Sequence, residues 1–367
     1  MEVTPGDGYS GSICQSAQSP WYCRSSLQVT YKKIYTFRQK MRQIDWIGNA
    51  LMIGSVISVL IALSWADARY PWSSWRILVP LVVGFAGTAI FHTWEAFQTL
   101  SRATIPPFVF STRTSTIALI LTFLQSLMTY WVIYFLPVYF QSVLLVSPGR
   151  SGVLLLPSVL SGVPTAIVAG ILLTMYGRYK PLHIWAFGVS TLGVGLLINL
   201  DADSSLAKVV MYQVVSGLGA GAVLTTLLPA VQAALPHDHD VTSSTSVWAY
   251  MRSYGGVWGI AIPSSIFNSR INQLVSQIPN VAVQAALSSG NAYSQINSGE
   301  LDLLPPEIKT DVVNAFANSL KTVWEVGLAV TAFCFILCFF EKEQKMHTEV
   351  NDDFALKEKK QVPKEHS

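Results

Sequence analysis

Apolar residues run through this chain in long unbroken blocks, not in the alternating or one-sided patterns of a water-soluble fold. Eight blocks are predicted as membrane-crossing helices: 46–65, 77–94, 117–140, 152–176, 182–200, 209–229, 247–267 and 322–340. A hydrocarbon core about 30 Å thick needs roughly 20 apolar residues of helix. The first block reads WIGNALMIGSVISVLIALSW, and the third is long enough to tilt. A buried helix of a soluble protein can mimic one such block, but not eight. The predicted fold class is all-α, a polytopic transmembrane helical bundle.

Composition agrees. The chain has 367 residues, 51% of them hydrophobic, and mean hydropathy is +0.41. Charged residues make up 12%, about half the usual share of a soluble domain. A disordered chain, a disulfide scaffold and an ordinary soluble enzyme are all excluded. Net charge is +3, with no basic stripe suited to nucleic acid. Cys334 and Cys338 sit four apart in an apolar run, a packing pair without further metal ligands, while Cys14 and Cys23 lie in a polar leader. No signal-peptide pattern is visible in residues 1–20.

An even number of spans puts both ends on one side. The positive-inside rule makes that side cytoplasmic: sixteen Lys and Arg residues fall there and seven on the other side, with Arg252 inside a span. The expected organisation is a polar, basic leader (1–44), two central membrane helices (45–94), a cytoplasmic linker (95–116), a six-helix bundle (117–340) and a charged cytoplasmic tail (341–367). Most connections are short, which favours antiparallel neighbours. The exception, 268–321, is a long external loop. Its last part follows Pro305 and Pro306 and has helical spacing at Ile308, Val312, Ala315, Phe316 and Leu320, predicting an amphipathic helix that leads into the eighth span.

Helices in lipid associate by close packing, so small residues mark interfaces. Gly162, Ala166 and Gly170 recur every four positions, Gly217, Gly219 and Gly221 cluster, and Gly255 pairs with Gly259. Such faces serve either as static contacts or as surfaces that rock. Pro80, Pro137, Pro157, Pro164, Pro229 and Pro263 interrupt spans and tend to kink them. Aromatic residues crowd the third span at Phe123, Tyr130, Trp131, Tyr134 and Phe135, facing either lipid or a flat apolar substrate.

Ionisable residues within spans are expensive and therefore informative. Glu325 enters the eighth span near its outer end, at an interfacial position or at a proton or substrate site. Arg252 enters the seventh, either paired with a neighbouring helix or available for function. His92 and His183 sit near span ends, and Asp45 is placed to cap the first helix. His237, Asp238, His239 and Asp240 form a weak metal-like cluster in a loop, better read as a helix cap. Neither a phosphate-binding glycine loop nor a hydrolase motif occurs. The expected chemistry is therefore non-enzymatic, with no cofactor and no metal.

Motif order brings in a resemblance. The stretch 42–81 carries DWIG (Asp45–Gly48) and YPWSSW (Tyr70–Trp75). It is followed by FLPVYFQSV at 135–143, by SGVLLLP…GRYKP at 151–181, and by the glycine helices around 217–221 and 252–259. In this order they resemble the fungal 14-spanner drug/proton antiporters of the major facilitator superfamily, from about residue 38 to 343. The resemblance implies a C-terminal six-helix half preceded by two central linker helices, the last eight helices only. It implies efflux of small amphipathic molecules (drugs, toxins, secondary metabolites) by alternating access with protons as coupling ion, at the plasma membrane. Relatives that move siderophores leave that cargo open. By the same resemblance, Gly177 and Arg178 fall in a cytoplasmic turn that would guide rocking, Arg252, Gly255, Gly256 and Gly259 on the family's R-x-x-G-x-x-x-G helix, and Gly217, Gly219 and Gly221 on a glycine-rich packing helix, all as conformational machinery. A transport-inactive half-transporter, or one that pairs with a missing N-terminal half, is the alternative expectation.

Overall fold

The computed structural model describes residues 44–97, 104–235, 241–287 and 305–343. All of these except Ile44 belong to one compact unit that begins at Asp45. Among the described residues there are nine α-helices and no β-sheet. We number the helices α1 (Trp46–Trp65), α2 (Trp75–Phe97), α3 (Arg113–Ser142), α4 (Pro148–Tyr176), α5 (Lys180–Leu197), α6 (Leu206–Ala233), α7 (Val241–Val275), α8 (Val281–Leu287) and α9 (Pro306–Phe339). A short 3-10 turn, Pro107–Phe110, precedes α3.

Local chemistry sets the helix ends. Asp45, Thr112, Ser147 and Ser205 each accept a hydrogen bond from a first-turn backbone N–H at the starts of α1, α3, α4 and α6. Gly177 ends α4 at φ +64°, a left-handed conformation that a residue with a Cβ adopts only with strain. The six interior prolines all lie inside helices.

Eight spans were expected. Six helices (α1, α2, α3, α4, α6 and α9) are long and apolar enough to cross a bilayer. The other two blocks are also helical but fall short. Helix α5 has only 18 residues and opens on Lys180, Pro181 and His183. Helix α7 has 35 residues, but serine, threonine, asparagine and arginine dilute its apolar character. Both are packed among other helices of the bundle, so neither needs a fully apolar surface. The amphipathic segment after Pro305 is no separate helix. It runs unbroken into the eighth span, because nothing between Pro306 and Phe339 breaks the helix. Residues 268–275 extend α7, so the expected loop is partly helical.

On α1, small and polar residues face inward and large apolar residues face outward, whereas the centre of the bundle is filled by large side chains such as Trp131, Tyr139, Phe140, Phe316 and Trp324. On α1 the buried positions are Gly48, Met52, Ser55, Val59 and Ala62, while Ile53, Ile57 and Ile61 are exposed. That inversion of a soluble core is what lipid requires. Helices α1 and α2 pair closely, since a Cβ on Gly84 or Gly87 would collide with Val59 or Ser55. Beyond them, α4 packs along α6, α6 along α5, and α3 along α7. The α1–α2 pair joins the bundle through α7: the Asp67 backbone carbonyl accepts from Asn272, and Phe85 stacks on Trp258. In the α5–α6 turn, a hydrogen bond from Ser204 and then the charge of Lys208 hold the Asp201 carboxyl below its ordinary pKa.

The structure also re-places two charged groups. His183, expected near a membrane interface, is fully buried against Glu341, Nδ1 to Oε2 at 2.8 Å. Glu341, expected to open a charged tail, is 2% exposed. Around this pair the Lys180 ammonium donates to the carbonyls of Phe339 and Glu341, while the Tyr179 hydroxyl and Thr114 Oγ1 donate to the carbonyl of Lys342. The end of α9 is thereby tied to the starts of α5 and α3. Glu341→Ala strands a buried imidazole and is expected to cost roughly 1–3 kcal/mol, seen as a lowered Tm in detergent. Glu341→Gln keeps an acceptor for a neutral imidazole and should lose markedly less.

Candidate functional site

Between α3, α4, α5, α6 and α7 lies a cavity of about 450 Å³. It opens at the middle of these helices: Thr122 to Ile133 on α3, Ser158 to Ile167 on α4, and Ser216 to Thr225 on α6. Its walls are mostly apolar, with Val132, Ile133, Val159, Val163, Ile167 and Leu224 among them. Polar groups converge from several helices: Thr122, Gln125, Ser126 and Thr129 from α3, Ser158 from α4, Ser190 from α5, Ser216 and Thr225 from α6, and Trp248 and Arg252 from α7. Mid-membrane cavities between helices, apolar with a few placed polar groups, are the usual form of a small-molecule site.

Some of these groups are already engaged. Thr122 Oγ1 donates to the carbonyl of Ala118, Thr129 Oγ1 to that of Gln125, and Thr225 Oγ1 to that of Ala166 across to α4. Others are not. Ser126 is 5% exposed and its hydroxyl has no hydrogen-bond partner among the described residues. The buried indole nitrogen of Trp248 is likewise unpartnered. Arg252 is exposed, with its guanidinium 5.5 Å from the Trp248 ring. It is the one charged side chain among the described residues lining this cavity, and no acid pairs with it there.

The glycines explain why the surrounding helices approach so closely. A Cβ on Gly221 would meet the carbonyl of Gly162, and one on Gly217 the carbonyl of Ser158, where α6 crosses α4. Gly219 lies against Ser190 of α5. Gly255 and Gly259 lie against the carbonyls of Phe123 and Leu127, where α7 runs beside α3. Thus Gly217, Gly219, Gly221, Gly255 and Gly259 all seat on neighbouring backbone, and Arg252 stands one turn before Gly255 at the cavity wall. Tyr130 lines the cavity and stacks with Tyr134, whereas Trp131 and Phe135 are buried in the core on the opposite side of α3.

Other candidates lie elsewhere. Glu325 is an exposed residue midway along α9 and lines no part of the cavity. Gly177 and the exposed Arg178 form the α4–α5 turn. Asp45 accepts from the Gly48 N–H and from the Trp94 indole, both at 2.9 Å, tying the start of α1 to the end of α2. His92 is exposed beside the Phe91 ring. Cys338 Sγ donates to the Cys334 carbonyl, a helical contact within a buried pair. The residues His237 to Asp240, Cys14 and Cys23 lie outside the described residues.

The chain is 40% identical over 327 residues to "Efflux pump FUS6" of Gibberella fujikuroi, covering 89% of this chain and 59% of that protein. It is 42% identical over 338 residues to "MFS-type transporter gkaD" of Penicillium citrinum, covering 92% and 58%. It is 39% identical over 332 residues to "MFS-type transporter TwmF" of Talaromyces wortmannii, covering 90% and 60%. Residues 12–152 match the fungal trichothecene efflux pump family. Over most of its length this chain is similar to fungal MFS-type transporters. It spans about 59% of the length of the curated relatives it matches, in keeping with a resemblance confined to part of their length. These relatives are named as transporters, not enzymes.

Two features of this bundle escaped the sequence reading. Glu95 is 2% exposed on α2 and accepts from the N–H of Ile105. Its place four residues after the buried Phe91, on the face that carries Gly84 and Gly87, was the available signal. The orphaned hydroxyl of Ser126 had no signal, since serine in a span usually bonds its own helix. Substitution tests the close packing directly. Gly221→Val and Gly255→Leu are expected to cost about 1–3 kcal/mol or more by overpacking, lowering Tm and folded yield. Gly54→Ala and Gly170→Ala, which meet nothing within 4 Å, should leave both unchanged.

Proposed function

We propose that this chain serves the export of small amphipathic molecules, such as drugs, toxins or fungal secondary metabolites, by alternating access. The observation that carries the reading is the mid-depth cavity, walled by apolar side chains and ringed by helices that meet on glycine. Smooth backbone-to-backbone faces let helices shift against each other without unlocking large side chains. The likeness to named efflux pumps supports the direction of transport. Proton antiport follows the family resemblance, with Glu325 a candidate carboxylate. In this reading Gly177 and Arg178 act at the turn about which α4 moves. The Lys/Arg bias supports cytoplasmic termini, and the resemblance supports a plasma-membrane home.

A second reading is favoured by the rim of the cavity. Tyr130, Ile133, Val159, Val163, Ile167 and Leu224 are all exposed, so one side of the cavity has no protein wall among the described residues. In that reading the chain transports only beside another polypeptide that closes this side.

Expression in yeast stripped of its own drug exporters tests both. Autonomous transport predicts resistance to a panel of amphipathic toxins and energy-dependent extrusion that a protonophore abolishes. A correctly inserted chain that gives neither resistance nor extrusion would sink autonomous transport. Recovery on co-expressing a complementary membrane half would establish the second reading.

A further inference from the structure

We infer that the cavity is selective for amphipathic anions, molecules with a carboxylate or similarly acidic head and an apolar body, and that Arg252 binds the head. The inference rests on the export reading of this cavity and names its substrate class.

Charge is the first argument. Arg252 remains protonated at any pH a cell meets. No Asp, Glu, Lys or His joins it among the described lining residues. Its guanidinium stands exposed at the cavity wall without an acidic partner among the described residues. The Trp248 ring at 5.5 Å offers only a weak cation–π contact. Water in the open cavity satisfies this group when the site is empty, and an entering anion replaces that water with a stronger charge-assisted contact.

The second argument is independent. Two further donors on lining residues, the hydroxyl of Ser126 (5% exposed) and the buried indole N–H of Trp248, have no partner among the described residues. Unpartnered buried donors are uncommon in folded proteins. They lie just beneath the cavity surface, the Trp248 ring beside the Arg252 guanidinium, and a donor-rich, acid-free site is complementary to an acceptor that carries negative charge. The third argument is the remaining wall. Val132, Ile133, Val159, Val163, Ile167 and Leu224 offer no charge, so the rest of the ligand must be apolar. A cation would face Arg252 with like charge, and a neutral amphipath would leave the guanidinium charge uncompensated.

The test uses the full chain in nanodiscs of zwitterionic lipid, with pyrenebutyrate as the anionic probe and its methyl ester as the neutral one. Equilibrium binding is measured above background from empty discs. The wild type is expected to bind the acid about tenfold or more tightly than the ester. Arg252→Gln should bring the two within about twofold without weakening the ester. Arg252→Lys should retain part of the preference, and Ser126→Ala should weaken the acid more than the ester. Acid and ester binding alike in the wild type, or a preference that survives Arg252→Gln, overturns the inference, as does a folded chain that binds neither probe. The outcomes stay distinct from those of the export reading. If selection for anions is wrong but export is right, cells expressing the chain still extrude the ester. If export is wrong, they extrude neither.

Discussion

The structure depends on backbone meeting backbone. Between helices in lipid there is no hydrophobic drive, because the acyl chains are as apolar as leucine. Cohesion comes from close contact, and contact is closest where no side chain intervenes. Gly221 on Gly162, Gly255 on Phe123 and Gly259 on Leu127 bring α6 onto α4 and α7 onto α3. The cavity lies against the α4–α6 glycine seam, with Gly162, Gly217 and Gly221 in its wall beside larger apolar side chains.

Polar side chains obey the same constraint. Within the helices most serines and threonines bond the carbonyl of the preceding turn, as Ser55, Thr122, Ser142 and Ser319 do. These groups ask nothing of their neighbours. The exceptions mark places where something else happens. Thr225 crosses to α4, Ser115 reaches the turn before α3, and the pair His183 and Glu341 fixes the end of α9. The Ser126 hydroxyl and the Trp248 indole N–H, both on residues that line the cavity, have no hydrogen-bond partner among the described residues. Most mid-bundle donors are thus committed to their own helix, and the Ser126 hydroxyl and Trp248 indole are exceptions among the described residues.

How much of this was legible follows from the physics of each feature. Apolar blocks reveal helices because a bilayer sets a length, and all eight blocks are helical. Whether a block is apolar enough to stand alone was not legible for α5 and α7, since packing within the bundle relaxes that demand. The Gly217–Gly221 and Gly255–Gly259 spacings announced interfaces, but not their partners, which depend on tertiary placement. Arg252 was marked as costly from sequence. That it stands at a cavity wall without an acid could only come from assembling five helices. His183 was misread because its partner, Glu341, lies 158 residues away, in a segment whose lysines suggested a solvated tail.

Helices α7 and α9 hold 35 and 34 residues, about 50 Å each at 1.5 Å per residue, against a hydrocarbon layer of about 30 Å. Their surplus lies at one end of the bundle, where Phe267, Ile271 and Val275 pack on Val312 and Phe316, and α8 adds Val283 and Leu287. This end of the core is joined by interdigitating side chains, where the glycine seams are joined by backbone. Volume removed from Phe267 or Val312 leaves a void, whereas a methyl added to Gly221 or Gly255 meets a carbonyl. The two regions therefore resist opposite changes in volume, one intolerant of loss and the other of gain.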